Sequence, residues 1–325
     1  MEHTFPLFRL PENAIVHVLQ NMDLNQLLII SLVSMKTKNL VSSLGLEPSH
    51  VDICIESGIS LSMFIGKPHL AVDFYNDSND QNELLPTDIT LPVAAYVGYK
   101  GPPIQSSTPF NFSKWLYHIK TIFCCTQPPN FQFAEGWEKF GIESLKEAIG
   151  SVNILIPHHL LTNDSSRRVL KHFNSPSGLF LVKNSFEEAC QIQQIFIQNC
   201  ELIEFGDVHS LDDMLLINIQ NVYFYHPISQ KEFNRFLKHW ICGSNPRLQH
   251  MTVSINKTGS VDEEAHFKGI KCMKVSKETK NKIGRMHGLS THDDMIQIRR
   301  NDGTTAFIGT QKSENSLRVR FIVLH

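Results

Sequence analysis

The apolar positions of the first fifty residues predict three short helices. A first helix starts at Leu10-Pro11-Glu12, because proline lacks an N–H that the first helical turn would leave unpaired anyway. Asp23, with Gln26 three residues on, is placed to cap a second helix, and Ser34 is placed to cap a third that ends before Gly45. The apolar residues with helical spacing in the first helix are Ile15, Val18, Leu19 and Met22.

The second helix carries more apolar surface than a small domain can cover. Six of the seven residues in 27–33 are apolar, whereas a single core covers only one stripe of a helix. A unit of about 40 residues also has little core of its own. The segment is therefore predicted to dock, either on the rest of the chain or on another protein.

Residues 50 to 150 follow a different pattern. Alternating and β-branched runs separated by Gly, Pro, Asn and Asp predict strands. The predicted strands are 51–55, 59–65, 70–75 and 89–99. The polar stretches 76–83 and 100–109 predict exposed loops, and helices are predicted at 113–123 and 143–149.

From 151 to 255, short strands alternate with helices. Strands are predicted to begin near Val152, Leu179, Leu202, Val222 and Leu248, with helices at 165–173, 186–198 and 230–241. This spacing is that of leucine-rich repeats, although their Asn/Cys ladder is absent. We predict a curved α/β solenoid, with an ordinary open α/β sheet as the alternative. Strands at 295–299, 305–309 and 317–324 are predicted to end the chain.

Composition narrows the class of protein. The 325 residues, 42% hydrophobic and 19% charged with a net charge of -2, indicate a folded protein of two or three units without global attraction to nucleic acid or membrane. The seven cysteines are scattered and never spaced as CxxC, which indicates free thiols in a reducing compartment. No signal peptide or membrane span is visible, so we expect the cytoplasm or nucleus.

Two groups of residues match known patterns. In the first 44 positions the pattern comprises the run 5–12 (FPLFRLPE), Val18-Leu19, Met22-Asp23, Leu27, Ser31-Leu32-Val33-Ser34 and Leu40. It resembles an F-box, in the version found in large nematode families. Residues 150–255 resemble the F-box-associated type 2 domain that follows in those proteins. That second resemblance rests on Phe180-Leu181, the strand 202–205, Phe224, Trp240, Asn245-Pro246 and Leu248.

The resemblance implies a fold and a role. Together, the residue patterns and the resemblance predict a mixed α+β or α/β chain: a three-helix F-box at 5–48, a strand-rich connecting region at 49–110, a leucine-rich-repeat-like α/β domain at 111–260, and a basic segment with C-terminal strands at 261–325. The F-box would bind a Skp-type adaptor, which is linked to a cullin scaffold. The chain would then be the non-catalytic substrate-recognition subunit of an SCF-type ubiquitin ligase, capturing an unknown protein.

The F-box resemblance also implies which residues contact the adaptor. Met35 stands where many F-boxes carry Lys or Arg, with Lys36 one place later, which is expected to weaken a polar contact and leave the apolar docking intact. From the pattern alone, a plain three-helix subdomain packed on the body of the chain explains these residues equally well. The implied adaptor-binding residues are Leu10, Pro11, Ile15, Val18, Leu19, Met22, Leu24, Leu27, Leu32, Val33 and Ser34.

No catalytic residue, metal site or cofactor is predicted. The GxGxxG, GxxxxGK[ST], HExxH and GxSxG signatures are absent. His158-His159 is the nearest to a metal pair, but adjacent strand residues point to opposite faces, which favours a surface loop. Cys124-Cys125 follows apolar residues and is predicted to lie in the core. The segment 291–294 (THDD) is predicted to be an exposed turn.

Lysines recur at every third position late in the chain. On a helix they would form a basic stripe for an acidic or phosphorylated segment or a nucleic-acid backbone, although a solvated face explains them as well. No aromatic residue interleaves them to stack bases, which counts against single-stranded nucleic acid. Two alternatives stay open: a nucleic-acid-binding protein, and an adaptor-binding protein outside any ligase. The lysines are Lys268, Lys271, Lys274, Lys277 and Lys280.

Overall fold

A computed structural model of the chain describes residues 10–75, 87–98, 101–104, 108–174, 176–256, 265–288, 294–312 and 316–324. The chain forms two compact units, Met1–Pro176 (unit 1) and Ser177–His325 (unit 2). This boundary falls inside the predicted domain 111–260. The physical reason is that Asn130–Phe133, within that segment, pairs with Val51–Ile55 of the predicted connecting region.

The three predicted N-terminal helices are present in unit 1. They are α1 (Glu12–Gln20), α2 (Leu24–Ser31) and α3 (Met35–Ser42). Both predicted caps form: Asp23 and Gln26 make a reciprocal capping box on α2, and Ser34 does the same with Thr37 on α3. Pro11 takes the N-cap position of α1, just before the first turn. The run Phe5 to Arg9 lies outside the described residues.

The remainder of unit 1 is a mixed sheet with helices. Its strand order is β7-β6-β1-β2-β3-β4-β5, with β7, β6 and β1 parallel and the others antiparallel. The strands are β1 (Val51–Ile55), β2 (Ile59–Phe64), β3 (His69–Phe74), β4 (Ala95–Val97), β5 (Pro103–Ile104), β6 (Asn130–Phe133) and β7 (Ile154–Pro157). The helices are α4 (Phe112–Ile122), a 3₁₀ turn (Trp137–Lys139), α5 (Ile142–Ile149) and α6 (Asn163–His172).

Unit 1 differs from the sequence prediction in several details, one of which is that β5 lies inside the predicted loop 100–109. The predicted strand 89–99 shrinks to β4, because Asp88 Oδ1 accepts from both the N–H and the hydroxyl of Thr90, a local turn that competes with strand pairing. β6 was not predicted. It is a four-residue run directly after Pro128-Pro129, too short to show alternation by itself.

The strands of unit 2 are parallel and antiparallel, in the order β12-β13-β14-β15-β11-β10-β9-β8. The strands are β8 (Gly178–Leu181), β9 (Leu202–Phe205), β10 (Asn221–Ile228), β11 (His250–Asn256), β12 (Met273–Lys274), β13 (Asp294–Arg299), β14 (Thr305–Lys312) and β15 (Ser316–Leu324). The helices are α7 (Ala189–Phe196), α8 (Leu211–Leu216), α9 (Gln230–Cys242), a 3₁₀ turn (Ala265–Phe267) and α10 (Lys277–His287).

The strands β8 to β11 lie parallel and in chain order, with one helix between each pair. The mixed helix and strand architecture is therefore as predicted. The leucine-rich-repeat-like stacking is not confirmed, because β11 pairs on its far side with antiparallel β15 and the sheet continues through hairpin strands. Within the described ranges, no helix has the length and apolar character needed to cross a membrane.

Candidate adaptor-docking surface

One side of the N-terminal helices rests on α4. The Ser31 hydroxyl donates to the Leu28 carbonyl at 2.7 Å, and its oxygen lies 2.7 Å from Nε2 of His118 on α4. Since a hydroxyl has one hydrogen to give, His118 Nε2 donates to Ser31. Burial, and then the nearby Lys38 charge, lowers the pKa of His118 to about 4. A neutral, buried imidazole therefore holds α2 against α4.

The helix α3 adds further contacts to the same side. Lys38 Nζ lies 5.4 Å from the centre of the Tyr117 ring on α4. The Ser42 hydroxyl donates to the Thr121 carbonyl at 3.4 Å, and the Cys124 thiol donates to the Ser42 carbonyl at 3.6 Å. α2 itself contacts α4 and β3, and Leu28 is buried. The chain thus covers part of the apolar surface of α2, which is one of the two predicted forms of docking.

The predicted adaptor-binding residues divide by exposure. Four are buried between the helices and cannot reach a partner in the folded state: Ile15, Leu19, Leu24 and Leu27. Four are half-buried: Leu10, Val18, Met22 and Leu32. Three are exposed: Pro11, Val33 and Ser34. Ser34 is engaged locally, since its side chain caps α3 by accepting from the Thr37 N–H at 3.2 Å.

An exposed apolar patch lies around the turn between α2 and α3. Its members are Ile29, Val33 and Met35, with exposed fractions of 46%, 64% and 69%. We name these three residues the α2–α3 patch. Ile29 and Met35 are absent from the set implied by the resemblance, yet a sequence signal existed for Ile29. It lies off the buried stripe of α2, where the excess of apolar residues has to emerge.

The predicted basic stripe does not form, because its lysines do not share a helix. Lys277 and Lys280 lie in α10, Lys274 lies in β12, and Lys268 follows the 3₁₀ turn. Gly269, whose φ of +74° lies in the left-handed region, forms a turn that interrupts the segment. The arrangement on which the nucleic-acid alternative depended is therefore absent from unit 2 as described.

The histidine pair His158-His159 and the cysteine pair Cys124-Cys125 were considered above as a metal site and as reactive thiols. The His158 and His159 rings lie 4.1 Å apart rather than on opposite faces, because the pair follows the end of β7 and strand alternation no longer applies. Cys124 and Cys125 are half-buried, and burial raises the pKa of Cys125 to about 11. Across the described ranges, no group of three or more His, Cys, Asp or Glu could hold a metal ion. Residues 291–293 lie outside those ranges.

Most of the residues behind the second resemblance belong to the core of unit 2, although Phe180 is half-buried and Pro246 is exposed. Phe205 and Phe224 pack edge to face at 6.3 Å, and Trp240 packs on Phe321 at 5.0 Å. Asn245 is buried, and its amide donates to the carbonyls of Met214 and Ile217 at 2.9 and 3.0 Å. These residues therefore specify a fold, and they do not mark a target-binding surface.

Comparisons with known proteins agree with both resemblances. Residues 7–48 match the F-box domain family, and residues 191–253 match the family described as F-box associated. The F-box associated domain-containing protein sdz-33 of Caenorhabditis elegans is 25% identical over 248 residues, which cover 75% of this chain and 76% of that protein. Neither matched family is a family of enzymes. No solved structure matches the chain.

Proposed function

We propose that this nematode-type F-box protein, with its F-box at 7–48 and its F-box-associated segment at 191–253, is the substrate-recognition subunit of a cullin-based SCF-type ubiquitin ligase. An F-box indicates, in general, an adaptor-binding substrate receptor. In the proposed complex the F-box binds a Skp-type adaptor and unit 2 binds the target protein. The chain performs no catalysis. It raises the concentration of the target near the ubiquitin-loaded enzyme, in the cytoplasm or nucleus.

The observation that carries this proposal is the α2–α3 patch. One side of α2 is held by α4 through Ser31 and His118, while Ile29, Val33 and Met35 face outward. Full burial of a side chain of this size contributes about 1.5–3 kcal/mol, and these are already partly covered, so about 1 kcal/mol each is a fair expectation. The patch therefore offers a small apolar centre to an interface that Pro11, Leu10 and Leu32 can extend.

Co-purification of the full chain with a Skp-type adaptor tests the proposal. We expect the double change Ile29→Asp and Val33→Asp to reduce adaptor capture by about tenfold or more, because each carboxylate would lose water in an apolar interface. Leu160→Asp is the matched control: Leu160 is 62% exposed in unit 1 and lies in the loop after β7. Undiminished adaptor capture by the double variant would overturn the assignment of this surface.

The same purification separates the proposed ligase role from its alternative. A ligase subunit carries the cullin scaffold along with the adaptor, whereas an adaptor-binding protein outside any ligase does not. We therefore expect the cullin to be recovered with the wild-type chain and to be lost with the double variant. Changes at Ile15 or Leu27 are unsuitable for this test, because those side chains are buried and their loss would unfold the helices.

A further inference from the structure

The sheet of unit 2 has two unequal faces. One face packs against α7 to α9, through contacts such as Phe196 on Phe224 and Trp240 on Phe321. On the other face, α10 covers only the end of the sheet formed by β13 to β15. That contact is a small apolar cluster of Ile283, Met295, Phe307 and Ile322. Among the described residues of unit 2, no other helix packs on this face, which we call the open face.

Two hollows adjoin on the open face beside the C-terminal end of α10. The larger has a volume of about 520 Å³ and the smaller about 440 Å³, and both are lined by Thr252 and Arg318. We call the two together the β11–β15 groove. Its walls include Tyr223 from β10, His250 from β11 and Met286 from α10. Because the two hollows share residues, they form one surface.

Two arginines of β15 give the groove its charge. In the antiparallel register Arg318 lies opposite Ser254 and Arg320 opposite Thr252, so all four side chains share the open face. The side chain of Arg318 is exposed and makes no hydrogen bond or ion pair with any described residue. Arg320 donates one N–H to the Gly288 carbonyl at 2.8 Å, and the other N–H groups of its guanidinium are left to bind a ligand.

Other titratable side chains lie on the described part of this face, among them His250 and Glu204. Burial, and then the charges of His287 and Arg320, lowers the pKa of His250 to about 4, so this ring is neutral. Among the described residues, an acid on this face is Glu204 of β9, which accepts from the hydroxyl of Tyr225 at 2.5 Å. Tyr225 lines the smaller hollow, so this carboxylate lies at the edge of the groove and its hydrogen bond is taken by Tyr225. The groove therefore presents positive charge over β15, next to the rings of Tyr223 and His250, which lie 5.4 Å apart.

We propose that the β11–β15 groove binds an extended peptide segment that carries anionic side chains at alternating positions. Arg318 and Arg320 are two residues apart on one strand, so they repeat at about 6.6–7 Å, the same repeat as alternating side chains of an extended peptide. Arginine forks bind carboxylate or phosphate with two hydrogen bonds. The helix α10, with four Lys or Arg residues and one acidic residue, adds a positive electrostatic potential that attracts an anionic peptide.

As the target-binding site of a ligase subunit, this groove rests on the proposed function. Peptide binding itself is measured without adaptor, by fluorescence anisotropy on the full chain. The probe is a fluorescein-labelled peptide in which Glu alternates with Ser. Two comparison peptides are measured beside it: the same sequence with Gln in place of Glu, and a peptide in which phosphoserine alternates with Ala. We expect the Gln peptide to bind about tenfold more weakly than the anionic peptide, and the comparison of Glu with phosphoserine identifies the preferred anion.

Variants locate the binding. We expect Arg318→Gln and Arg320→Gln each to weaken binding about tenfold, whereas Lys277→Gln, the same charge change at the opposite end of α10 from Met286, changes it about twofold or less. The proposal is overturned if neither anionic peptide binds. It is also overturned if Lys277→Gln weakens binding as much as the arginine substitutions do, because that result would indicate diffuse electrostatic attraction. Tighter binding of oligothymidylate through the same arginines would assign the groove to nucleic acid instead.

A parallel measurement keeps the two proposals apart. The Arg318→Gln protein should still capture the Skp-type adaptor, because Arg318 lies in unit 2 and the α2–α3 patch lies in unit 1. Loss of peptide with retained adaptor supports both proposals. Failure of the wild-type chain to capture the adaptor, with peptide binding intact, overturns the ligase role and leaves the peptide site standing.

Discussion

The buried His118 makes the stability of the chain sensitive to acid. Its pKa in the folded protein is about 4, against 6.5 as the ordinary value, and the first cause is burial. Between these values the unfolded chain binds a proton that the folded chain does not. The contribution of a neutral His118 to folding is therefore fully present above about pH 6.5 and is lost as the pH falls towards about 4.

The size of the effect follows from the two pKa values. One pKa unit corresponds to about 1.4 kcal/mol, so lowering the pH from about 7 to about 5 should remove roughly 2 kcal/mol of unfolding free energy through His118 alone. Protonation would also place a charge beside Ser31 and Lys38 in the seam between α2 and α4. Protonation of His118 therefore acts on the contact that holds the F-box helices to α4 within unit 1.

Urea unfolding at the two pH values, for the wild type and His118→Gln, measures this contribution. Glutamine keeps an amide donor for Ser31 but does not titrate. We expect the free energy of unfolding to fall with pH by about 2 kcal/mol less in the variant. His209 and His250, whose pKa values burial also lowers to about 4, titrate in both proteins and cancel in the difference. Equal pH dependence of the two proteins would refute the reasoning.

Two further predictions concern the core of unit 2. Asn245→Ala leaves the Met214 and Ile217 carbonyls without their donor and should lower the free energy of unfolding in urea by about 2–3 kcal/mol. The control Asn21→Ala removes an exposed amide and should lower it by under about 1 kcal/mol, so similar losses would contradict the role of burial. Gly206→Ala would place Cβ against the Val182 carbonyl oxygen and should lower the midpoint of thermal unfolding. In the control Gly141→Ala, the new Cβ meets nothing closer than 3.5 Å, so the midpoint should change less. An unchanged midpoint for Gly206→Ala would show that the backbone moves to accommodate the methyl group.

Local features of the fold were readable from the sequence. The capping residues Asp23 and Ser34 were identified because a cap depends on residues three positions away. The bounds of β1 and the order of the strands from 178 to 256, with α7 and α9 between them, also followed from periodicity, because each element is defined by its own run of residues. The short helix α8 was not predicted. The apolar excess of α2 correctly indicated that some of its surface must meet a partner outside the three helices.

Tertiary structure decided which surface is free. The F-box resemblance placed Leu27 and Val33 in the same adaptor-binding set, yet packing in the folded chain buries the first and leaves the second exposed. Lysine spacing suggested a stripe, but the turn at Gly269 separates Lys268 from α10. Arg320 comes to face Thr252 only through the pairing of β15 with β11. Local sequence fixes hydrogen bonds between near neighbours, whereas exposure and charge clustering depend on contacts between residues far apart in the chain.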